Sequence, residues 1–320
     1  MSAGSHPVIA IVGPTASGKS DLAIQLAQKL NGEVIVCDST QIYRHFTIGT
    51  GKVTPQEQHG VPHHLMDLLE PHEVFTAGAY RKRAIAVLED LRRRGKLPVL
   101  TVGTGLYLRA LLEGLADAPT RSEELRARLR KRARKGGPGH LHRILRKFDP
   151  DAAQKIAPGD EPKIIRAIEV RMLSGKSMTE LQQAGRQELE GFRPIKLGLM
   201  PKRAELYARI EARVDKMLAQ GWLDEVKRLI AAGIPATAKP FQFIGYRALR
   251  EFTEKQSPAP DELLLVTAAI KQSTRNYAKR QITWFRKEGG VRWFEGFGDD
   301  PTVKEAALHH VQTELAQQAG

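Results

Sequence analysis

The chain has 320 residues, enough for one large or two modest domains with a sizeable core. Its 41% hydrophobic content argues against wholesale disorder, no run of roughly 18 apolar residues is available to cross a bilayer, and the single cysteine, Cys37, excludes an intrachain disulfide framework and a cysteine-rich metal site. Fifty Lys and Arg against 36 Asp and Glu give a net charge of +14, a balance that attracts polyanions, nucleic acid foremost, or else keeps the surface solvated.

Met1 to Pro7 is short and polar and unlike a signal peptide, so a cytoplasmic protein with no membrane partner is expected. Val8-Ile-Ala-Ile-Val12 is a continuous apolar run, as in a strand buried on both faces. A glycine-rich turn follows, then Asp21 to Leu30 with apolar residues at helical spacing. Glu33 to Cys37 predicts a second strand, Ala77 to Arg94 a helix with a basic outer face, and Leu97 to Val102 another buried strand. Strands alternating with helices predict an α/β fold built on a parallel sheet.

The pattern changes near Pro119. From Arg121 to about Gln187 the chain is helical in pattern and arginine-rich, broken at Gly136-Gly-Pro-Gly139 and at Pro158-Gly159. Ile195 to Met200 then predicts a strand, Ala204 to Ala232 one long helix, 252–261 a loop through Pro258 and Pro260, and Ala268 to Arg286 a helix. The last twenty residues predict a peripheral helix with a frayed end. The expected organisation is an α/β core over 1–118 and 191–320 with an all-helical insertion over 119–190. Positive charge gathers in three segments: 121–147 carries +9, 81–96 carries +5 and 271–287 carries +6.

Gly13-Pro-Thr-Ala-Ser-Gly-Lys-Ser20 matches the phosphate-loop pattern without departure, and it lies after a strand and before a helix. Its glycines let backbone amides curl around a phosphate, and the helix N-terminus adds partial positive charge. Gly13, Pro14, Thr15, Ala16, Ser17, Gly18, Lys19 and Ser20 are therefore the candidate pyrophosphate cradle, with Lys19 reaching the outer phosphate and the Ser20 hydroxyl suited to Mg²⁺. The loop specifies a pyrophosphate or triphosphate but not the molecule that carries it. Cys37-Asp38-Ser-Thr-Gln-Ile-Tyr43 follows the second strand, which puts Asp38 at the carboxyl edge of the sheet near this loop. A carboxylate there could hold Mg²⁺ or accept a proton; the alternative is a turn-forming Asp-Ser.

Asp38-Ser-Thr-Gln-Ile-Tyr43 after such a loop resembles the tRNA dimethylallyltransferase, or IPP transferase, family. Further matches run in the expected order over roughly residues 8 to 295: Ile48-Gly-Thr-Gly-Lys52, Pro62-His-His-Leu-Met-Asp67, Gly103-Thr-Gly-Leu-Tyr107, Arg166-Ala-Ile-Glu-Val170, Ile244-Gly-Tyr-Arg247 and Thr274-Arg-Asn-Tyr-Ala-Lys-Arg-Gln-Ile-Thr-Trp-Phe-Arg286. The resemblance implies a P-loop NTPase-like core whose loop holds the pyrophosphate of dimethylallyl pyrophosphate with Mg²⁺. It implies transfer of the dimethylallyl group to N6 of the adenosine at position 37, 3′ of the anticodon, in tRNAs reading codons that begin with U. Asp38 then matches the general base; so weak an acid as the amine loses its proton as the C–N bond forms, not before. Thr104 matches a second catalytic-site residue, the alternative being a turn threonine. Matching tRNA contacts are Asp38, Ser39, Thr40, Gln41, Thr104, Arg126, Pro162, Lys163, Ile164, Ile165, Arg166, Gln242, Phe243, Ile244, Gly245, Tyr246, Arg247, Lys279, Arg280, Gln281, Ile282, Thr283, Trp284, Phe285 and Arg286, although some of Ile282, Trp284 and Phe285 must be core. The basic insertion would grip the anticodon stem through phosphates.

The departures from the family pattern are Ser20 for Thr, Gly51 and Val53 for Ala and Pro, Val102 for Gly, and Lys163 for Arg, which loses bidentate geometry. Arg209 and Arg213 share a helix face and reach either a pyrophosphate or Glu205 and Glu211, the ion pairs being favoured. His59, His63, His64 and His72 lack the spacing of a metal site. Nothing reads as a dimer seam, so a monomer is expected. The competing functions are a small-metabolite kinase, a prenyltransferase of free adenine nucleotides, and a non-catalytic RNA-binding protein.

Overall fold

The structure is a computed structural model that describes residues 5–255, 259 and 261–317. The prolines at 258 and 260, and the frayed end expected at 318–320, lie outside the described residues. The chain divides into two compact units, Glu113–Leu189 and the remainder, so the helical unit begins six residues before the Pro119 change of pattern.

The larger unit opens with β1 (His6–Val12), α1 (Lys19–Lys29), β2 (Gly32–Cys37), β3 (His63–His64), α2 (Ala77–Arg93), β4 (Leu97–Val102) and α3 (Gly105–Leu112). The helical unit holds α4 (Glu123–Gly136), α5 (His140–Phe148), α6 (Pro150–Lys155), α7 (Glu161–Ser174) and α8 (Met178–Gln183), with no strand among its described residues. The chain re-enters the larger unit with β5 (Phe192–Leu199), α9 (Arg203–Ala219), α10 (Trp222–Ala231), α11 (Tyr246–Thr253), α12 (Glu262–Phe285), β6 (Val291–Phe294) and α13 (Pro301–Ala316).

The sheet is parallel throughout, in the order β3-β2-β4-β1-β5-β6. Ile9 faces Val99 on one side and Ile195 on the other, so β1 is central and its apolar run is buried on both faces. One core cluster joins Ile9, Ile11, Leu22, Leu26, Val99 and Leu197. Val303, Ala307 and Val311 belong to the same cluster, so α13 is an integral wall of the core and not peripheral. The long helix expected over 204–232 is two helices: Gly221 adopts φ 92, a left-handed conformation that ends one helix and starts the next. The helix expected from Ala268 begins earlier, at Glu262. In the helical unit, Leu125, Leu129, Leu145, Ile164, Ile165 and Ile168 form a separate core, which shows that this segment buries its own apolar face. No helix among the described residues is long and apolar enough to cross a membrane.

Candidate active site

The phosphate loop turns from β1 into α1. Gly18 sits at φ 83, and a Cβ there would lie 2.7 Å from the Gly298 amide nitrogen and 2.8 Å from Asp299 Oδ1, so only glycine fits. Thr15, Ala16, Ser17, Gly18, Lys19 and Ser20 line a cleft of about 700 Å³ together with Asp38, Gln41, Thr101, Gly103, Arg209, Arg213, Tyr277 and Gln281. Parallel pairing of β1, β4 and β2 delivers these residues to one edge, because each strand ends there.

Lys19 donates to the carbonyls of Gly13 (3.0 Å) and Pro14 (2.7 Å). Burial lowers its ammonium to about 7, with Arg213 adding to the effect and the Asp38 charge opposing it. Asp38 uses one oxygen for structure: Oδ1 accepts from the Thr40 amide and the Thr40 hydroxyl, each at 2.7 Å. Its Oδ2 carries no hydrogen bond among the described residues and lies against Gly103, where a Cβ would overlap it. Thr104 Oγ1 accepts from the Ser39 amide at 2.9 Å and donates to Ser39 Oγ at 3.1 Å. Thr104 thus braces the Asp38 loop. Cys37, directly before Asp38, is fully buried, and burial pushes its thiol up to about 12.

The far wall of the cleft comes from α9 and α12. Arg209 forms a bidentate pair with Asp299 (2.7 and 2.9 Å) and stacks over Phe297, and Glu211 pairs with Arg275. The expected pairing of Arg209 and Arg213 with Glu205 and Glu211 is therefore corrected: Arg209 is bound to a different acid, and Arg213 makes no ion pair among the described residues. The Arg213 guanidinium fills the space over Gly51 and lines the cleft. From α12, the Gln281 side chain and the Tyr277 hydroxyl both reach the Gly103 carbonyl.

The remaining candidates divide by burial. Gln41 lines the cleft, its Nε2 held by the Thr50 and Gly51 carbonyls, while Ser39 and Thr40 bond Thr104 and Asp38 beside it. Gln242 and Arg247 are exposed, and Arg247 pairs with Glu251. Phe243 packs against Tyr43 and Ile244 is half-buried. Gly245 lies under the Trp222 ring. Tyr246 is fully buried and donates to Glu225 at 2.6 Å. On α12, Lys279, Arg280, Thr283 and Arg286 are exposed, and Ile282 is half-buried against Ala16 and Leu206. Phe285 is core. Trp284 is 37% exposed, packs on Gly105 and lies under the Arg109 guanidinium, 4.8 Å from the ring centre.

In the helical unit, Pro162 and Lys163 are exposed, Lys163 pairing with Asp160, while Ile164 and Ile165 are core. Arg126 is 8% exposed and bonds Glu169 through two nitrogens (3.0 and 3.2 Å), and Arg166 shares that acid. Burial thus corrects six expected tRNA contacts: the side chains of Arg126, Ile164, Ile165, Tyr246, Gln281 and Phe285 hold neighbours together and are not presented to a macromolecule. Conversely, Gly103 and Tyr277 belong to the cleft but are not among the expected site residues, although each lies in a matched motif; Arg213, weighed for the pyrophosphate from its position one turn from Arg209, also lines the cleft.

A family model described as IPP transferase matches residues 41–288. The chain is 48% identical over 310 residues to a tRNA dimethylallyltransferase of Koribacter versatilis, spanning 97% of this chain and 99% of the relative. It is 45% identical over 312 residues to the one from Solibacter usitatus, spanning 97% and 100%. Among solved structures it is similar to a tRNA isopentenylpyrophosphate transferase from Bacillus halodurans (TM-score 0.71, 35% identity, 98% of both chains). It is also similar to a eukaryotic dimethylallyltransferase described as acting on tRNA (TM-score 0.84, 30% identity, 98% of this chain and 80% of the other).

Proposed function

As the chain belongs to the IPP transferase family, we propose that it transfers the dimethylallyl group of dimethylallyl pyrophosphate to N6 of the adenosine at position 37 of tRNA, working as a cytoplasmic monomer. The observation that carries this is the single cleft in which a phosphate loop, its lysine and a carboxylate with one uncommitted oxygen face one another. The pyrophosphate would lie on the loop with Lys19 and Arg213 beside it. The allylic C–O bond breaks with its electron pair leaving on the pyrophosphate, where these cations stabilise the charge. The amine's lone pair forms the new C–N bond, and Asp38 Oδ2 takes the proton released from nitrogen.

Mg²⁺ fits this donor set only in company with the substrate. The described residues contain no cluster of three acidic, histidine or cysteine ligands, whereas Ser20 lines the cleft beside the loop. Ser20 Oγ would hold the ion with pyrophosphate oxygens and waters completing its shell. When bound, the ion neutralises charge on the departing pyrophosphate. The RNA partner is supported by the helical unit, where exposed Arg128, Arg132, Arg143 and Lys147 line one groove and make no ion pair among the described residues.

The test incubates purified protein with Mg²⁺, dimethylallyl pyrophosphate and an anticodon stem-loop carrying adenine 3′ of the anticodon, followed by mass analysis of its nucleosides. A gain of one dimethylallyl group on that adenosine is expected. Transfer to free AMP but not to the stem-loop overturns the proposal.

A further inference from the structure

We infer that Gln281 is a positioning residue for the transfer, holding the phosphate loop and the carboxylate's strand end at a fixed separation, and is not a contact to RNA. The inference rests on the function proposed above. Gln281 is 6% exposed, so its carboxamide is not offered to a macromolecule. Its Oε1 accepts from the Thr15 amide of the phosphate loop at 2.8 Å. Its Nε2 donates to the Gly103 carbonyl at 2.8 Å. Those two backbone groups belong to different segments, the turn after β1 and the turn after β4, and one planar amide spans them.

Gly103 passes the constraint to the carboxylate. Its amide donates to the Cys37 carbonyl at 3.0 Å, one residue before Asp38, and its Cα is the surface against which Asp38 Oδ2 rests. The Tyr277 hydroxyl, one helical turn before Gln281, donates to the same Gly103 carbonyl at 3.1 Å. Helix α12 therefore grips the Asp38 wall by two side chains and the loop by one. In the proposed reaction the leaving group rests on the loop and the proton acceptor on the wall. The bracket sets the distance between them, and placement errors of about 1 Å are worth about a hundredfold in rate.

The bracket also has a polarity. It needs an acceptor toward Thr15 and a donor toward Gly103, which a neutral amide supplies and a carboxylate does not. A carboxylic acid, by contrast, supplies both. Gln281→Glu should thus be defective when ionised and recover as it protonates, while Gln281→Met removes both bonds at every pH.

The experiment measures kcat and KM for dimethylallyl pyrophosphate, the Kd of the anticodon stem-loop, and thermal unfolding, for both variants. A positioning role gives a loss in kcat of about tenfold or more for each, with stem-loop Kd within about twofold of the parent. It also gives a Gln281→Glu to parent kcat ratio that rises as pH falls from about 8 to about 6, a burial-raised carboxyl protonating in that range. Gln281→Glu keeps the side-chain size and carries the test should Gln281→Met not fold. A stem-loop Kd weakened about fivefold or more with kcat retained at saturation overturns the inference and makes Gln281 an RNA contact. Unchanged kcat in both variants overturns it equally, and so does a kcat ratio that ignores pH. Parent protein that transfers no dimethylallyl group refutes the proposed function instead, so the two failures are distinguishable.

Discussion

Replacing Gly103 by Ala should disable the carboxylate without touching the phosphate loop. Gly103 has no left-handed φ, so alanine meets no backbone strain and the effect is steric alone. The added methyl carbon would overlap Asp38 Oδ2 and lie 2.8 Å from Asp38 Cγ, so the carboxyl carbon must retreat by about 0.6 Å to the 3.4 Å of ordinary contact, and Oδ2 by more. Asp38 Oδ1 is anchored by two short bonds from Thr40, and a retreat large enough to clear Oδ2 breaks at least one of them. A hydrogen bond to a charged group is worth about 1.5–3 kcal/mol. With the reacting oxygen displaced, kcat should fall by about a hundredfold. Single-turnover transfer to a stem-loop measures the chemical step, and titration with inorganic pyrophosphate measures the cradle, whose affinity should stay within about threefold. A Gly103→Ala enzyme with kcat within about twofold of the parent would refute the placement of Asp38 Oδ2 as proton acceptor.

Lys19, lowered to about 7 by burial, is partly neutral in the free enzyme at about pH 8. Pyrophosphate favours its charged form, so binding should take up protons there, seen by calorimetry in buffers of different ionisation enthalpy. Affinity should fall as pH rises through about 7, and less so for Lys19→Arg, which stays charged; absence of proton uptake contradicts this. Glu169→Ala leaves Arg126 and Arg166 without their shared buried acid and should cost about 3–5 kcal/mol in denaturant unfolding. Neutralising Arg128, Arg132, Arg143 and Lys147 together should weaken stem-loop binding and flatten the dependence of log Kd on log salt, each lost phosphate contact removing somewhat under about one unit of slope. An unchanged slope would make that groove a merely solvated face.

What the sequence made legible was local. The phosphate loop is eight contiguous residues between a strand and a helix, and the edge position of Asp38 follows from the apolar run before it. The strands β3 and β6 escaped notice because two and four residues carry no period, and they form by pairing with β2 and β5. Side-chain partners escaped for a related reason. Arg209 has acids nearby in sequence, yet its partner is Asp299, 90 residues away. Gln281 and Thr15 are 266 residues apart, and nothing in either segment signals the other. The motif around Tyr246 mixes a cation, an amide and aromatics as an RNA reader would, but the same residue types serve a core once the tyrosine hydroxyl finds a buried acid.

The Trp222 ring packs on Gly49 from the loop after Asp38 and on Gly245 before α11, and a Cβ at either glycine would enter the ring. Glu225, one turn further along α10, accepts from the amides of Thr47 and Ile48 and from the Tyr246 hydroxyl. Two stretches nearly two hundred residues apart are thereby riveted to one helix and can shift only as a single mechanical part. A side chain grown at Gly49 would do its damage as an architect's error does, by moving a wall that the cleft depends on without altering any group inside the room.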